Sequence, residues 1–414
     1  MFLKSLGAIL LVISFIVLPY NTSFADEYHY TNILVGDRAS GMGGAYTAVS
    51  DDPTGMYYNP AGIVYSTMRN LSASVNAYYN LKKKYKGVIG GRGWERTSSA
   101  LLPNYFGIIQ PLGMFKIGFS YAVPDSILED QDQTFYDLPS TVPGTTVSRY
   151  IINFNNEDNT YNFGPSIAKE IAKDFSAGIT LYVHQRKAQI ILNQLVNLSD
   201  DRYEWTNEYL ETNEWGLRPV LGFMWSPMEK ISLGITVSKT ILFDSDTTRQ
   251  YIYKGIDYGG NDIDRVAFST DTKKKYPLQV STGIAYFPSP RILIAGDVTY
   301  YLKVDDSTFG DRESVLNAAI GTEYYLSRNW AMRAGIFTNM ANTPEIKTGI
   351  SDQPEHIDLY GGSLSLSRFT KNTSVTAGGS MSYGTGKAQV KKGYETQDAE
   401  ALAWTIFISS SYSY

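Results

Sequence analysis

Cysteine is absent from this chain of 414 residues. Its absence excludes disulfides, thiolate metal sites, a cysteine nucleophile and a lipid-modified N-terminal cysteine. Histidine is scarce as well, because only His29, His184 and His356 occur and each is isolated in the sequence. A metal cluster or a Ser-His pair therefore has few residues to draw on, and the nucleophile motif G-x-S-x-G does not occur. We expect no catalytic residue, no bound metal and no cofactor, and therefore no enzyme.

Charge and long apolar runs are also in short supply. Only 19% of the residues are charged, and the net charge of −5 gives no reason to expect nucleic-acid binding. Lys4 precedes one apolar run over residues 6–18, which is followed by the small-residue sequence Ser23-Phe24-Ala25. This pattern predicts a secretory signal peptide over residues 1–25, with cleavage near Ala25. No later run is long enough to predict a membrane-spanning helix.

Tyrosine and glycine, by contrast, are abundant, with 32 and 36 residues. Apolar and polar residues alternate with a period of two over residues 71–81, and similar alternation returns through the rest of the chain. Such alternation is typical of strands with one apolar and one polar face. We count about 14 of them, an even number as bacterial membrane barrels have. The sequence therefore predicts an all-β fold, a transmembrane antiparallel β-barrel formed by residues 67–414.

The predicted connections alternate between short and long. Each short one follows an even-numbered strand, and most long ones follow odd-numbered strands, as in a barrel with short periplasmic turns and long outer loops. Both chain termini then face the periplasm. The last residue, Tyr414, is aromatic, and this ending resembles the signal recognised by the barrel assembly machinery. The predicted short connections are 111–113, 169–174, 226–230, 288–290, 327–329 and 369–372, and the long ones are 82–100, 124–159, 190–214, 244–275, 339–355 and 386–400.

Residues 36–63 show neither strand alternation nor an amphipathic helix pattern. They are rich in Gly, Ala and small hydroxyl residues, which let a backbone approach a surrounding wall closely. Within them, Asp51-Asp52-Pro53 predicts the start of a short helix, and Asn59-Pro60 predicts a turn with an extended residue before the proline. We interpret residues 26–66 as a compact plug, or hatch, inside the barrel. A hatch would make an otherwise open channel selective.

The same stretch contains the pattern G-x-G-G-A-Y-x-A-x-x-D-D, followed closely by Y-N-P-A-G. This pattern resembles the N-terminal motif of the FadL/TodX family of outer-membrane transporters for long-chain fatty acids and other hydrophobic compounds. The resemblance implies a bacterial outer-membrane protein that takes up hydrophobic small molecules passively, such as long-chain fatty acids or hydrocarbons. The matching residues are Gly41, Gly43, Gly44, Ala45, Tyr46, Ala48, Asp51, Asp52, Tyr58, Asn59, Pro60, Ala61 and Gly62.

The resemblance also bears on gating. Two interpretations of the hatch residues stay open: they only pack the segment against the wall, or the turn at Asn59 and Pro60 also closes the bore and shifts when ligand binds. Family members release ligand sideways at the third strand, which corresponds to residues 115–123, where Gly118 and then Pro124 would permit a kink. The candidate hatch and gating residues are Gly41, Gly43, Gly44, Asp51, Asp52, Asn59, Pro60, Ala61 and Gly62.

A different class of function is open as well, because related barrels that work in protein secretion carry a similar motif. The chain would then be an outer-membrane scaffold that binds proteins in secretion or surface attachment. A surface hydrolase is the third and weakest choice, given the histidine count. In the transport interpretation, the partners are a hydrophobic ligand, outer-membrane lipid and lipopolysaccharide, and the barrel assembly machinery, and we expect a monomer.

Two of the predicted long loops, 124–159 and 190–214, hold many apolar residues that would be unfavourable in a solvated loop. They either pack as ordinary loops or fold together over the outer mouth as a ligand-capturing groove, and we favour the groove. The candidate capture residues are Phe135, Tyr136, Leu138, Leu195 and Trp205.

Basic residues suggest two further contacts. Four lysines between residues 82 and 86 are either a solvated charge run or partners of lipopolysaccharide phosphates. An acyl carboxylate would need a cationic partner, and Arg186, Lys187 and Arg218 are the candidates.

Overall fold

The computed structural model describes residues 28–66, 70–140, 142–255, 264–390 and 394–413. The predicted signal peptide with its cleavage site near Ala25, and the final Tyr414, lie outside the described residues. None of the helices in these ranges has the length and apolar character needed to cross a membrane. The helices are α1 (Asp37–Gly41), α2 (Gly55–Tyr58) and a 3-10 helix (Pro60–Tyr65). The strands are β1 (Asn70–Ile89), β2 (Arg92–Leu112), β3 (Phe115–Pro139), β4 (Thr146–Ala172), β5 (Phe175–Leu198), β6 (Tyr203–Met228), β7 (Ile231–Lys239), β8 (Ile241–Lys254), β9 (Asp264–Thr270), β10 (Leu278–Ser289), β11 (Ile292–Tyr301), β12 (Val315–Ser327), β13 (Trp330–Asn339), β14 (His356–Ile357), β15 (Leu359–Phe369), β16 (Thr373–Ala388) and β17 (Gln397–Ser413).

Fourteen of these strands close into an antiparallel barrel. Successive strands pair from β1 to β7, β7 continues to β10, and the order then runs through β13 and β15 to β17. The barrel closes because β1 pairs with β17, from Asn70 opposite Ser413 to Tyr85 opposite Ala399. The predicted all-β barrel and its strand count are thus confirmed. Closure removes the open sheet edges that would otherwise invite pairing with another chain.

The two rims of the barrel differ in their connections. At one rim, which we call the turn rim, the predicted short turns are confirmed: two residues join β2 to β3, β4 to β5 and β12 to β13. At the opposite outer rim, three further strands extend the wall. β8 pairs with the first half of β6, β9 pairs with β8, and the two-residue β14 pairs with β16.

Around its middle the barrel presents apolar side chains outward and polar side chains inward. On β3, Phe119 is 44% exposed, whereas its neighbour Ser120 is fully buried. On β11, Val298 is exposed and Asp297 is buried. A soluble protein has the opposite arrangement, and an apolar outer belt of this kind is what a lipid-embedded barrel requires.

Toward the outer rim this polarity reverses. The inward face of β4 changes from polar at Asn162 and Asn156 to apolar at Phe154, Ile152 and Tyr150, all of them buried. These apolar side chains join a hydrophobic core between the ends of several strands, which we call the outer cap. The outer cap consists of Tyr85, Val88, Ile89, Trp94, Leu138, Val147, Tyr150, Ile152, Phe154, Ile190, Leu192, Val196, Leu198, Ile357, Leu359, Ala388, Ala399 and Ala401.

The outer cap corrects the prediction of long loops. Most residues of the expected loops 124–159 and 190–214 belong to the hairpins β3–β4 and β5–β6, and the expected loop 82–100 is a hairpin that turns at Gly90 and Gly91. Outside the lipid belt the outward face of a strand meets water and is polar, whereas its inward face packs on the outer cap. The outer parts of these hairpins therefore carry many polar residues on their outward faces and resemble loops in composition.

Residues 28–66 lie against the inward faces of strands from many sides of the barrel. At the closest contacts between the wall and the N-terminal segment, the wall residue is glycine. A Cβ at Gly335 would collide with the backbone of Met42, and a Cβ at Gly234 would collide with the backbone of Thr47. Glycine permits this approach because it has no side chain. Met42 itself is fully buried. The small-residue composition of the segment is therefore matched by small residues in the wall.

The variant Gly335→Val should loosen the N-terminal segment, because overpacking at such a contact costs about 1–3 kcal/mol. We expect trypsin to cleave after Arg38 in the variant under conditions in which the unchanged protein resists, as measured by limited digestion in detergent and mass spectrometry. Gly296→Val is the matched control, since a Cβ there would meet only a carbonyl oxygen 3.9 Å away. Equal resistance of both variants would contradict the expectation.

Candidate functional site

The turn at Asn59 has the predicted form. Its backbone is extended, with φ −151° and ψ 101°, its side-chain oxygen accepts a hydrogen bond from the Ala61 N–H at 3.1 Å, and Pro60 opens the 3-10 helix. The helix expected directly after Asp52 starts later than predicted. It begins at Gly55, and the Asp52 carboxylate instead accepts a bond from the Thr54 N–H at 2.8 Å.

Asn59 also ties the segment to the wall. Its fully buried side-chain amide donates to the Thr47 carbonyl at 2.8 Å and to the Phe223 carbonyl on β6 at 3.1 Å. The carbonyl of Ala61 accepts a bond from Ser176 Oγ on β5 at 3.0 Å. The Asn59 turn is therefore bonded to two neighbouring barrel strands.

An ionic network joins α1 to the barrel strands β12 and β13. Glu323 on β12 binds both Arg38 of α1, at 2.9 Å, and Arg333 of β13, at 2.5 Å. Arg38 also pairs with Asp51 of the segment. Glu323 and Arg333 are 1% and 3% exposed. Arg38 of the N-terminal segment thus adds a second cation to the buried wall pair of Glu323 and Arg333.

Asp297 on β11 provides a third anchor. One of its carboxylate oxygens, Oδ2, accepts hydrogen bonds from the backbone N–H groups of Tyr46 at 2.8 Å and Thr47 at 2.7 Å. The other oxygen, Oδ1, is buried without a hydrogen-bond partner among the described residues. Asp297 also lines the cavity described below.

Some of the predicted hatch residues contact the barrel wall, namely Gly41, Gly43, Asn59, Pro60 and Ala61. The others, Gly44, Asp51, Asp52 and Gly62, contact other residues of the N-terminal segment. Gly43 and Gly44 have positive φ angles of 68° and 87°, which favour glycine. The carbonyl of Gly41 accepts a bond from Ser363 Oγ on β15 at 3.1 Å. Gly62 packs on the backbone of Ser50 so closely that a Cβ would collide.

A cavity of about 250 Å³ lies between the N-terminal segment, the inward faces of β5 to β7 and β10 to β12, and the connections that precede β10 and β12. Its lining carries six basic side chains against two acidic ones, Asp125 and Asp297. The net charge is smaller than this count, because Arg186 pairs with the carboxylates of Asp158 and Glu214, which do not line the cavity. The basic residues are Arg186, Arg218, Lys239, Lys274, Lys275 and Arg312.

Arg218 differs from the other two candidate cations. Its guanidinium lies over the ring of Tyr57, 5.0 Å from the centroid, and donates to Gln279 Oε1 at 3.3 Å, while its Nη1 is buried without a partner among the described residues. Arg186 is neutralised by Asp158, at 2.5 Å, and also pairs with Glu214. Lys187 is exposed and is not among the cavity-lining residues.

Asp306 lies in the connection before β12 and binds the connection before β10. Its carboxylate accepts hydrogen bonds from the backbone N–H of Lys275 at 3.0 Å and from those of Thr308 and Phe309, each at 3.1 Å. Although burial raises the pKa of this carboxyl, these donors hold the pKa below its usual value. The Asp306 carboxylate therefore fixes these two connections relative to each other.

The β2–β3 ladder is interrupted beside the cavity. Pairing runs from the turn rim to Tyr105 opposite Ala122, and beyond that point the two strands pair at a single position, Ser98 opposite Glu129. Residues 99–104 of β2 have no partner on β3. Pro124 lies opposite this gap. The register of β3 against β4 is also irregular there.

Pro124 fits the predicted kink. It has no N–H to give to a ladder, and its carbonyl accepts a bond from the Ile33 N–H of the N-terminal segment at 3.1 Å. Both residues also line the cavity. Gly118, the other residue considered for the kink, keeps its regular partner Ile109 on β2.

The five predicted capture residues do not form one surface. Leu138 belongs to the outer cap and Phe135 packs against it, whereas Tyr136 is 55% exposed. Leu195 and Trp205 are cross-strand partners of β5 and β6. They are out of phase with the outer-cap residues of β5, which places them on the outward face. Their assignment to loops was wrong, because all five lie in strands.

The four clustered lysines are matched by carboxylates. Lys83 is buried and pairs with Glu355 at 2.5 Å. Lys82 pairs with Glu95, also at 2.5 Å, and Lys86 pairs with Glu400 at 2.7 Å. This pairing reduces the positive charge that the run offers to an external phosphate.

No protein-family model matches this chain, and no curated protein matches it either. Several solved structures match it at low identity, and their likeness to this chain is one of fold. A Pseudomonas aeruginosa FadL homologue is 14% identical, with a TM-score of 0.66 over 93% of this chain and 99% of its own. The P. putida toluene transporter TodX is 12% identical, with a TM-score of 0.65 over 94% and 99%.

The Ralstonia pickettii toluene transporter TbuX is 13% identical, with a TM-score of 0.58 over 92% of this chain and 98% of its own. The similarity runs over nearly the whole of each protein, while the identity is low. The resemblance to the FadL/TodX family that the N-terminal motif predicts is thus confirmed at the level of the fold.

The variant Glu323→Gln should destabilise the barrel by about 3–5 kcal/mol, because it leaves the buried guanidinium of Arg333 without its carboxylate and leaves Arg38 with Asp51 alone. The measurement is the free energy of unfolding in urea with the protein in lipid vesicles. Glu95→Gln is the control: this carboxylate is 42% exposed, and its loss should cost at most about 1 kcal/mol. Similar losses in the two variants would argue against a buried network.

Proposed function

We propose that this chain is a channel of the bacterial outer membrane for the passive uptake of hydrophobic small molecules such as long-chain fatty acids or hydrocarbons. The observation that carries the proposal is the cavity that lies between the N-terminal segment and an interruption of the barrel wall. Transport of this kind needs a binding cavity and a path, without covalent chemistry.

An outer-membrane location is supported by the apolar outer belt of the closed barrel. Residues 1–25 serve in this proposal as the signal peptide, cleaved near Ala25, residues 26–66 as the hatch and residues 67–414 as the barrel. The barrel assembly machinery would insert the chain as a monomer, surrounded by lipid and lipopolysaccharide.

The N-terminal segment acts in this proposal as a hatch that closes the bore. Its hydrogen bonds to β5, β6, β11 and β15 and its ion pair with β12 support a docked closed state. Gating would change the contacts of the turn at Asn59 and Pro60, which is joined to the wall by few hydrogen bonds. The residues assigned to this role are Gly41, Gly43, Gly44, Asp51, Asp52, Asn59, Pro60, Ala61 and Gly62.

Ligand would leave the cavity sideways through the gap between β2 and β3. Residues 99–104 lack ladder partners on β3 there, so the two strands separate without breaking their own hydrogen bonds. Ile33 and Pro124 line the cavity and also lie at the gap, which supports a continuous path. A sideways exit would deliver an apolar ligand to the lipid instead of to water.

Capture of ligand at the outer hairpins stays a prediction, although the candidate residues do not form one common groove. These residues are Phe135, Tyr136, Leu138, Leu195 and Trp205. Tyr136 and the pair Leu195–Trp205 offer apolar surface on the outer hairpins. Phe135 and Leu138 would act by packing the outer cap that supports these hairpins.

Closing the gap should block uptake. Leu102 of β2 packs on an apolar cluster that includes Ile127 of β3, and the chain has no cysteine of its own, so Leu102→Cys with Ile127→Cys places a single pair of thiols beside the gap. We expect the double variant, once oxidised to the disulfide, to lose most of its uptake of radiolabelled oleate or toluene by cells, and the reduced form to recover it.

The matched control joins Phe106→Cys to Tyr121→Cys, residues that already pair in the intact ladder. Oxidation there should leave uptake unchanged. If both oxidised variants transport normally, release is axial and the lateral path is wrong. If deletion of the whole protein leaves uptake intact but removes a set of surface or secreted proteins, the scaffold function in secretion is correct instead.

A further inference from the structure

Three successive connections at the turn rim are basic. They join β10 to β11, β12 to β13 and β15 to β16, and these strands follow one another in the wall. Together with the last two residues of β15, they hold four basic side chains and no acidic one. The four cations, which we call the basic turns, are Arg291, Arg328, Arg368 and Lys371.

The other three connections of the turn rim are neutral. The connection between β2 and β3 has no charged residue. In the other two, Lys173 is followed by Asp174 and Glu229 is followed by Lys230. The positive charge of the connections is therefore confined to one half of the turn rim.

The basic turns are not neutralised by the protein. All four side chains are exposed, and none forms an ion pair with a carboxylate of the described residues. The Glu323 carboxylate on β12 is buried inside the barrel and bound there. At the outer rim, by contrast, exposed lysines are paired: Lys86 lies 2.7 Å from Glu400, and Lys387 lies 2.5 Å from Asp398.

We propose that the basic turns bind the phosphate groups of anionic phospholipids in the membrane leaflet that surrounds the turn rim. This inference rests on the proposed function, in which the barrel lies in the outer membrane with its short turns toward the periplasm. It assigns a lipid partner to one side of the barrel.

Arg368 and Trp330 mark the level of the lipid headgroups. They are the last cross-strand pair of β13 and β15 at the turn rim, and the guanidinium lies over the indole, 5.7 Å from the ring centroid. Tryptophan favours the boundary between hydrocarbon and headgroups, so the guanidinium beside it lies at the height of the phosphates. A guanidinium binds a phosphate through two parallel hydrogen bonds while its face rests on a ring.

An apolar surface for acyl chains continues directly from this pair. Met332 and Leu366 are cross-strand partners two residues deeper in the wall, and they are 41% and 43% exposed on the outward face. Tyr324 pairs with Met332 from β12 and is 39% exposed. A phospholipid bound by its phosphate thus lays its chains on an apolar wall, whereas a free phosphate or a soluble acidic protein gains nothing from that wall.

The basic turns are close enough to act together. Successive connections are two strands apart, and neighbouring strands are separated by about 4.8 Å, which places the connections about 10 Å from one another. This distance is similar to the Debye length of about 8 Å at physiological ionic strength. Each basic side chain at an anionic lipid surface strengthens binding by roughly fivefold.

The test measures lipid binding to the mature protein in detergent by native mass spectrometry. Dioleoyl-phosphatidylglycerol and dioleoyl-phosphatidylcholine have the same chains, so their comparison isolates the headgroup charge. We expect phosphatidylglycerol to bind at least about tenfold more tightly. Equal affinities would overturn the proposal and leave the channel function intact, because uptake of oleate by cells is a separate measurement.

The double variant Arg328→Gln with Arg368→Gln then assigns the site. It should weaken phosphatidylglycerol by roughly tenfold or more and leave phosphatidylcholine unchanged. The matched control is Lys86→Gln with Lys387→Gln, which removes two exposed cations from the outer rim and should change neither affinity. Equal losses in the two double variants would show an effect of net charge alone and would overturn the assignment to the basic turns.

Two further outcomes separate this proposal from the proposed function. Lipid A that binds the unchanged protein more tightly than phosphatidylglycerol would overturn the choice of phospholipid, and with it the periplasmic orientation of the turn rim. If the preference for phosphatidylglycerol holds while cells that lack the protein take up oleate normally, the channel function fails and the lipid site stands.

Discussion

Hydrogen bonding of the backbone within hydrocarbon is the constraint on which the rest of this structure depends. Lipid offers no partners, so a spanning sheet has to close on itself, and here closure is achieved by the long ladder between β1 and β17. The gap between β2 and β3 is notable for this reason. The N–H of Ile33 in the N-terminal segment donates to the carbonyl of Pro124 at this gap. The segment therefore supplies, from inside the barrel, a hydrogen bond that β2 does not provide.

The interior of the barrel and its N-terminal segment are complementary in charge as well as in shape. Glu323 and Arg333 would be an isolated buried pair without Arg38, and one oxygen of Asp297 is occupied by backbone N–H groups of the segment. Polar side chains inside a membrane protein are costly and usually functional. Those that bind the segment hold it in place.

Sequence periodicity predicts the membrane belt well and the outer hairpins poorly. The strands β3 and β15 are evident from apolar residues at every second position, whereas the outer part of β4 places polar Asn153 and Asn155 outward and has the composition of a loop. The Asn59 turn was predictable because its chemistry is local. The bond between Arg38 and Glu323 was not, since 285 residues separate them; the available signal was an ionisable residue in the inward phase of a strand.

The outer cap bears on how the chain is inserted. β4 has 27 residues and β7 has nine, so the hairpins of the outer cap project well beyond the lipid, and their tips are small water-soluble sheets attached to a membrane wall. The polar outward faces of these hairpins have to cross the hydrocarbon of the membrane before their apolar faces can pack together as the outer cap. The outer cap therefore gains its packing only when several hairpins have arrived together, which favours translocation of β3 to β6 as a group.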